Sequence, residues 1–203
     1  MSRNKINNDH HIILASGSPR RQEFFRLLNL PFTVQPADID EHFDSHCLPA
    51  QAVKNIAVAK VRRILELTPE PQHNWICAAD TIVRVDNTTL GKPKDQQEAR
   101  EMLLSLSDKE HNVISAVALY NRKKDTIDCR CAECTVYFSQ ISPAEADWYI
   151  KTGEWQGVAG AYRLQGLAAC FIKSINGAPS TVIGLPLFEF YAMLRENGYP
   201  FGA

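Results

Sequence analysis

Short apolar runs alternate along the chain with longer stretches in which apolar residues recur every three to four positions. Runs of the first kind predict buried strands, and repeats of the second kind predict amphipathic helices. Prolines, glycines and small polar residues mark the boundaries between them. Strands and helices that alternate in this way are typical of an α/β or α+β architecture.

The predicted strands are Ile12–Ala15, Phe32–Pro36, Trp75–Val85, Thr89–Leu90, Val113–Tyr120, Asp125–Ser139 and Leu167–Ile175. The predicted helices are Pro19–Asn29, Pro49–Leu67, Asp95–Ser105, Ser142–Lys151 and Pro186–Asn197. Capping boxes are expected where Asp95 precedes Glu98 and where Ser142 precedes Glu145. Thr68-Pro69 ends the second helix, because a residue before proline disfavours helical dihedral angles. The chain shows no repeat or linker. This favours a single domain that comprises residues 1–203 and has two lobes.

The composition is that of an ordinary globular protein, with 45% hydrophobic and 22% charged residues. A formal net charge of -1 gives no electrostatic reason to expect nucleic acid or a membrane surface as partner. No apolar run approaches the ~20 residues of a membrane span. Residues 1–11 lack the apolar core of a signal peptide, so a cytoplasmic location with reduced cysteines is expected.

Cys129, Cys131 and Cys134 form a C-x-C-x-x-C cluster that raises the possibility of a metal site. No matching second pair of ligands exists, because the other three cysteines are scattered. The cluster also lies within a predicted strand. Ordinary strand cysteines are therefore the favoured interpretation.

The first predicted helix begins with an unusual pair of cations. Ser18 suits the N-cap and Pro19 the first helical position, but Arg20 and Arg21 follow in the first turn. Cations there are unfavourable, because the N-terminus of a helix carries partial positive charge. The pair indicates a phosphate or carboxylate cradle. An exposed arginine pair on a surface helix is the alternative.

Asp80 lies in the middle of the apolar run Trp75–Val83. A buried carboxylate is costly unless it binds a metal or accepts strong hydrogen bonds, which favours a functional role. The alternative is a side chain that faces solvent on the outer side of the sheet.

Other polar residues could contribute to the same chemistry. Lys92 follows Gly91 in a predicted turn, and Glu41 ends an acidic run that contains Asp38 and Asp40. Cations that neutralise a polyphosphate, together with carboxylates that hold Mg²⁺, are what metal-assisted phosphate chemistry requires. Gln165 offers an amide that suits a base edge, whereas His111 is interpreted as structural. Solvated loops are the alternative for each loop residue.

The same segments, in order, resemble the Maf-like proteins, nucleoside triphosphate pyrophosphatases once described as septum formation inhibitors. The matching blocks are Leu14–Arg21, Asp40–Glu41, Ala57–Lys60, Ala79–Val83, Leu90–Pro93, His111–Val113, Tyr149–Glu154, Ala159–Gly166 and Gly184–Leu187.

The resemblance implies a mixed twisted sheet with flanking helices and two lobes around a central cleft, a Maf/ITPase-like fold. It implies hydrolysis of a nucleoside triphosphate to the monophosphate and pyrophosphate with a divalent metal, Mg²⁺ or Mn²⁺. Asp80 is the expected general base, and Glu41 and Asp80 the expected metal ligands. The residues expected to bind substrate are Ser16, Arg20, Arg21, Lys60, Thr81, Lys92 and Gln165. A homodimer is a further expectation from the resemblance.

Arg20, Thr81 and Gln165 match positions linked to substrate choice, and the Ala159–Gly166 block resembles the branch that acts on dTTP and UTP. Members of that branch often carry lysine before this block, where the present chain has Val158. Two alternatives stay open: the same chemistry on 7-methyl-GTP or a modified nucleotide, and a non-catalytic nucleotide-binding regulator of division.

Overall fold

The structure, a computed structural model, describes residues 10–41, 47–68 and 74–201. Its strands are β1 (Ile12–Leu14), β2 (Phe32–Val34), β3 (Trp75–Val85), β4 (Thr88–Leu90), β5 (Glu110–Asn121), β6 (Thr126–Phe138) and β7 (Ile172–Asn176). Its α-helices are α1 (Pro19–Leu27), α2 (Pro49–Leu67), α3 (Gln96–Leu106), α4 (Pro143–Lys151), α5 (Pro179–Ile183) and α6 (Leu187–Glu196). Ala159–Ala161 and Leu167–Phe171 form short 3₁₀ helices.

The strands form one mixed sheet in the order β2-β1-β3-β5-β6-β7, with β4 paired to β3. β1 runs parallel to both of its neighbours, and Leu14 lies opposite Val34 on one side and Cys77 on the other. β4 pairs antiparallel with β3, and β7 pairs antiparallel with β6. The predicted α/β class with a mixed sheet is confirmed.

The chain divides into two compact units, each with its own core. Unit 1 comprises Met1–Asp80, Ala116–Cys131 and Gly184–Ala203, and unit 2 comprises Thr81–Ser115 and Ala132–Ile183. The interpretation of residues 1–203 as one domain stays a prediction.

The core of unit 1 forms where β1 and β3 meet α1 and α6. All three residues of β1 are buried, as expected for a strand paired on both sides. On α1 the buried residue is Phe25, whose ring packs 5.2 Å from that of Phe32 and 5.3 Å from that of Phe190. This packing fixes α1 at the carboxyl end of β1.

The core of unit 2 is built from one face each of α3 and α4 and from aromatic side chains. Phe138, at the end of β6, contacts both Tyr162 and Phe171, with ring centroids 4.9 and 6.4 Å apart. Asp95 caps α3 by accepting from the Glu98 backbone, and Ser142 forms a complete capping box with Glu145 on α4.

Three expectations need correction. Leu167–Ile175 was expected to be one strand, but its first half is a 3₁₀ helix and β7 begins only at Ile172. The Glu98 carboxylate accepts from the Lys94 backbone, so α3 has no reciprocal capping box. Ser18 occupies the N-cap of α1 without a side-chain capping hydrogen bond.

The sequence pattern also missed the short helix α5. Pro69, expected to end α2, and residues 1–9 lie outside the described residues. Among the helices that the structure describes, none is long and apolar enough to cross a membrane.

Candidate functional site

In unit 1, the ammonium group of Lys60 lies between two carboxylates. Lys60 Nζ lies 2.8 Å from Asp80 Oδ1 and 2.6 Å from Glu41 Oε1. It also donates to the Ala79 carbonyl at 3.4 Å. Lys60 and Asp80 are buried, and Glu41 is half-buried. We call Glu41, Lys60 and Asp80 the Asp80 cluster.

The local sequence explains why these charges are buried. Asp80 follows five buried residues in β3, so the strand carries its carboxylate into the interior. Lys60 lies on the buried face of α2, which it shares with Ile56, Ala57 and Ile64. The ion pairs offset part of the cost of removing the charges from water, a cost that otherwise amounts to several kcal/mol per ion. The solvent-facing alternative for Asp80 is therefore wrong.

Arg21 lies close to the same carboxylates. Its Nη1 donates to Ser16 Oγ at 2.9 Å, and its Nε donates to the Gly184 carbonyl at 2.8 Å. Desolvation lowers the pKa of Arg21, whereas the charges of Asp80 and Glu41 raise it. The compensating negative charge that a cation in the first turn of α1 requires is thus present in the protein itself.

Ser16 links the end of β1 to α1. Its hydroxyl accepts from Arg21 and from the Ser18 backbone, the latter at 3.3 Å. Ser16 is buried, whereas Arg20 is half-buried. The expected phosphate-binding residues Ser16, Arg21 and Lys60 therefore lie with Glu41 and Asp80 in one unit.

Cys77 lies on β3 within the same core, and burial raises the pKa of its thiol to about 12, although Arg21 lowers it. Since the thiolate is the reactive form, Cys77 is not a nucleophile at neutral pH. The chemistry of this region belongs to oxygen and nitrogen groups.

In unit 2, Thr81 joins a chain of hydroxyl groups. Thr81 Oγ1 lies 2.8 Å from Ser115 Oγ, and Ser115 Oγ donates to the Thr181 carbonyl at 2.7 Å. Ser115 and Thr181 are wholly buried, and Thr81 is half-buried. Sequence reasoning missed Ser115 and Thr181, because their hydrogen bond depends on a contact between β5 and α5 that residues near in the chain do not indicate.

The loop that carries Lys92 is hydrogen-bonded to the Ala159–Gly166 block. The Gly160 backbone N–H donates to the Gly91 carbonyl at 3.0 Å, while Lys92 itself is exposed. A Cβ at Gly160 would lie 2.9 Å from Val83 Cγ2, and Gly160 has φ +69°. Only glycine fits this close approach of backbone to β3.

Gln165 is exposed and lies beside a turn that Glu154 stabilises. Glu154 accepts from the Leu167 backbone at 2.9 Å, and its carboxylate covers Gly166 so closely that a Cβ there would clash. Glu154 therefore holds the turn after Gln165. Val158, which stands where related sequences often carry lysine, is buried.

His111 is buried, and its contacts are those of a residue that packs in the core. Its Nε2 is 2.8 Å from the Tyr162 hydroxyl, and its ring meets that of Phe138 edge to face. Burial lowers the pKa of His111 to about 4, so the imidazole is neutral at pH 7. The pair connects the start of β5 to the Ala159–Tyr162 segment.

The cysteine cluster consists of separately packed thiols. Cys129 Sγ contacts the Lys54 carbonyl at 3.8 Å, whereas Cys134 is buried against Gly177. Within the described residues, no group of three or more His, Cys, Asp or Glu side chains is placed to hold a metal ion. Glu41 and Asp80 still offer two carboxylates, and Mg²⁺ commonly takes one or two carboxylates together with substrate phosphates.

Comparison with known proteins adds a family and a fold. The model of the family described as Maf-like protein matches residues 11–197. A dTTP/UTP pyrophosphatase of Symbiobacterium thermophilum is 41% identical over 189 residues, which cover 93% of this chain and 95% of the relative. One of Syntrophomonas wolfei is 39% identical over 185 residues, which cover 91% and 96%.

Among solved structures, a HAM1 protein from Coxiella burnetii matches with a TM-score of 0.53 at 16% identity. The match covers 92% of this chain and 98% of that chain. At this identity the similarity shows a shared fold.

Proposed function

The chain belongs to the Maf-like protein family, and we propose that it is a nucleoside triphosphate pyrophosphatase that hydrolyses dTTP and UTP to the monophosphate and pyrophosphate. The names of its curated relatives support the substrate class. The observation that carries the proposal is the Asp80 cluster, in which a buried carboxylate is held in place by a buried ammonium group. Buried charges of this kind are costly and are typical of functional sites.

The charge balance of the Asp80 cluster together with Arg21 supports a bound metal. Arg21 and Lys60 carry two positive charges, and Glu41 and Asp80 carry two negative charges, so these four side chains are neutral together. A triphosphate brings additional negative charge, which a divalent cation would neutralise. Carboxylate oxygens suit a hard divalent cation such as Mg²⁺ or Mn²⁺, and Glu41 and Asp80 would hold it. When bound, the metal would stabilise negative charge on the phosphate oxygens.

The residues of the chain have distinct roles in this mechanism. Asp80 accepts a proton from the water that attacks the α-phosphorus, and pyrophosphate leaves. Lys60 orients the Asp80 carboxylate and contributes positive charge. Ser16, Arg20, Arg21 and Lys92 bind phosphate oxygens, and charge that develops during the attack is stabilised by the guanidinium and ammonium groups.

Asp80→Asn tests the proposal, because it keeps the shape of the side chain and removes the base. We expect kcat for dTTP and UTP to fall by a factor of about 10²–10⁴, the usual contribution of a general base. The measurement is the release of pyrophosphate and monophosphate from dTTP, UTP, CTP, GTP and 7-methyl-GTP, with Mg²⁺ or Mn²⁺ and with a chelator.

Asp147→Asn is the matched control, because Asp147 forms an exposed ion pair with Arg100 in unit 2. It should keep wild-type turnover. An Asp80→Asn enzyme with most of its kcat contradicts the assigned base. Turnover of 7-methyl-GTP alone indicates the other substrate class, and binding without turnover indicates a non-catalytic regulator. Turnover unaffected by the chelator contradicts the metal.

A further inference from the structure

The chain contains two Asn-Gly pairs, Asn176-Gly177 in unit 2 and Asn197-Gly198 in unit 1. In such a pair the backbone nitrogen of the glycine can attack the side-chain amide of the asparagine, because the glycine has no Cβ to hinder the approach. The two pairs have the same chemistry, but the structure gives them different surroundings.

Hydrogen bonds hold both reacting groups of the Asn197-Gly198 pair. Asn197 is the half-buried C-cap of α6, and its Nδ2 donates to the Met193 carbonyl at 2.9 Å. The Gly198 N–H, which would be the nucleophile, donates to the Arg195 carbonyl at 3.1 Å. The Asn197 carbonyl also accepts from Asn121 Nδ2 at 3.0 Å. These bonds must break before the nitrogen of Gly198 can reach the amide carbon.

The Asn176-Gly177 pair lacks such bonds. Asn176 is exposed and is the last residue of β7, where its backbone lies opposite Thr135 of β6. Gly177 follows in an exposed bend. Within the part of the chain that the structure describes, neither the Asn176 side chain nor the Gly177 N–H forms a hydrogen bond to another protein group. Neither reacting group therefore has to leave a protein partner first.

We propose that Asn176 is a deamidation site of the folded protein, at which isoaspartate forms as the protein ages. The Gly177 nitrogen forms a bond to Asn176 Cγ, and the bond from Cγ to Nδ2 breaks. Ammonia leaves and takes up the proton that the Gly177 nitrogen gives up, so a cyclic succinimide remains. Water then opens the ring at either carbonyl and yields aspartate or isoaspartate. The reaction needs neither nucleotide nor metal.

Isoaspartate at this position disturbs the connection between β7 and α5. It adds one carbon atom to the main chain and places a new carboxylate beside it. Gly177 has φ +127° and lies so close to β6 that a Cβ would be 3.0 Å from Cys134 Cα. Since α5 begins at Pro179, the longer main chain has few residues over which to adjust. It therefore displaces Gly177 from Cys134 and weakens the packing there.

Mass spectrometry of the full-length folded protein tests the inference. The protein is incubated at mildly alkaline pH in heavy-oxygen water, so that a group hydrolysed during incubation is marked, and peptide fragmentation distinguishes isoaspartate from aspartate. We expect Asn176 to react at least about tenfold faster than Asn197, the effect of one hydrogen bond that must break at the slower site. In the urea-unfolded chain, where these bonds are absent, the two sites should react at similar rates.

Three results would overturn the inference. The first is a folded protein in which Asn176 reacts no faster than Asn197. The second is a difference of the same size in the unfolded chain, because it would come from the local sequence and not from the structure. The third is aspartate without isoaspartate at position 176, because direct hydrolysis of the side chain forms no ring.

Two variants test the effect on packing by urea denaturation before and after ageing. Asn176→Asp adds the charge without lengthening the main chain, and it should unfold like fresh wild type because position 176 is exposed. Asn176→Gln should unfold alike before and after ageing, because its longer side chain closes a ring only slowly. Aged wild type should contain a fraction that unfolds at lower urea. Isoaspartate at position 176 with unchanged unfolding would contradict the displacement of Gly177.

Discussion

In unit 1 the buried polar groups include full charges, Lys60 and Asp80, whereas in unit 2 the buried polar residues His111, Ser115 and Thr181 are neutral. The difference follows the proposed function, in which the charged groups of unit 1 act on phosphate. Charged groups stabilise the charge that develops on phosphate, and they act on any triphosphate. Neutral hydroxyl groups cost less to bury, and in unit 2 they join neighbouring elements through short hydrogen bonds.

Replacing Lys60, the cation that both carboxylates share, should cause the largest loss of stability in unit 1. In Lys60→Met both the Asp80 and the Glu41 carboxylates lose their ammonium partner, and Asp80 is left buried without it. We expect the free energy of unfolding to fall by about 3–5 kcal/mol, as for other broken buried pairs. Urea denaturation measures it.

The control is Lys109→Met, which removes an exposed ion pair with Asp86 and should cost less than about 1 kcal/mol. Equal losses in the two variants would contradict the importance of burial for the Asp80 cluster.

The Ala159–Gly166 block of unit 2 depends on close packing, and Gly160→Ala tests this. The new Cβ would lie 2.9 Å from Val83 Cγ2 at φ +69°. Left-handed strain and overpacking together should lower the free energy of unfolding by about 3 kcal/mol.

Gly157→Ala is the matched control, because Gly157 has φ +68° but nothing within 4 Å of a new Cβ. It should cost about 1–2 kcal/mol, from backbone strain alone. If both variants lose the same stability in thermal or urea unfolding, contact with Val83 contributes nothing.

The neutral state of buried His111 in unit 2 predicts a pH effect. The pKa of His111 is about 4 in the folded protein and 6.5 in the unfolded chain, so the unfolded chain binds more protons between these values. The contribution of neutral His111 is complete above pH 6.5, falls as the pH is lowered, and is lost by pH 4. Between pH 7 and 5 it should amount to about 2 kcal/mol.

Chemical unfolding at both pH values, for wild type and His111→Gln, measures this difference. Tyr162→Phe keeps the buried histidine and should keep the pH dependence. A His111→Gln protein with the pH dependence of wild type would show that His111 is not the titrating group.

The sequence was most informative where residues close in the chain decide the structure. The bounds of α2 and β3 were predicted as observed, because Pro49 starts the helix and an unbroken apolar run defines the strand. Asp80 could be identified because a carboxylate contradicts the pattern around it.

Long-range contacts explain what the sequence did not predict. The apolar run Leu167–Phe171 resembles a strand, but Glu154 binds the Leu167 backbone and the run forms a 3₁₀ helix. Ser115 is an ordinary serine in an apolar strand until α5 brings the Thr181 carbonyl to it. Hydrophobic periodicity carries no information on such partners.

The hydrogen bond from Arg21 Nε to the Gly184 carbonyl joins groups 163 positions apart. During synthesis on the ribosome, the arginine is therefore made 163 residues before its carbonyl partner. A nascent or truncated chain that ends before Gly184 lacks this anchor and the whole of α6. The first turn of α1 therefore gains this anchor only after Gly184 has been synthesised and has folded back onto Arg21.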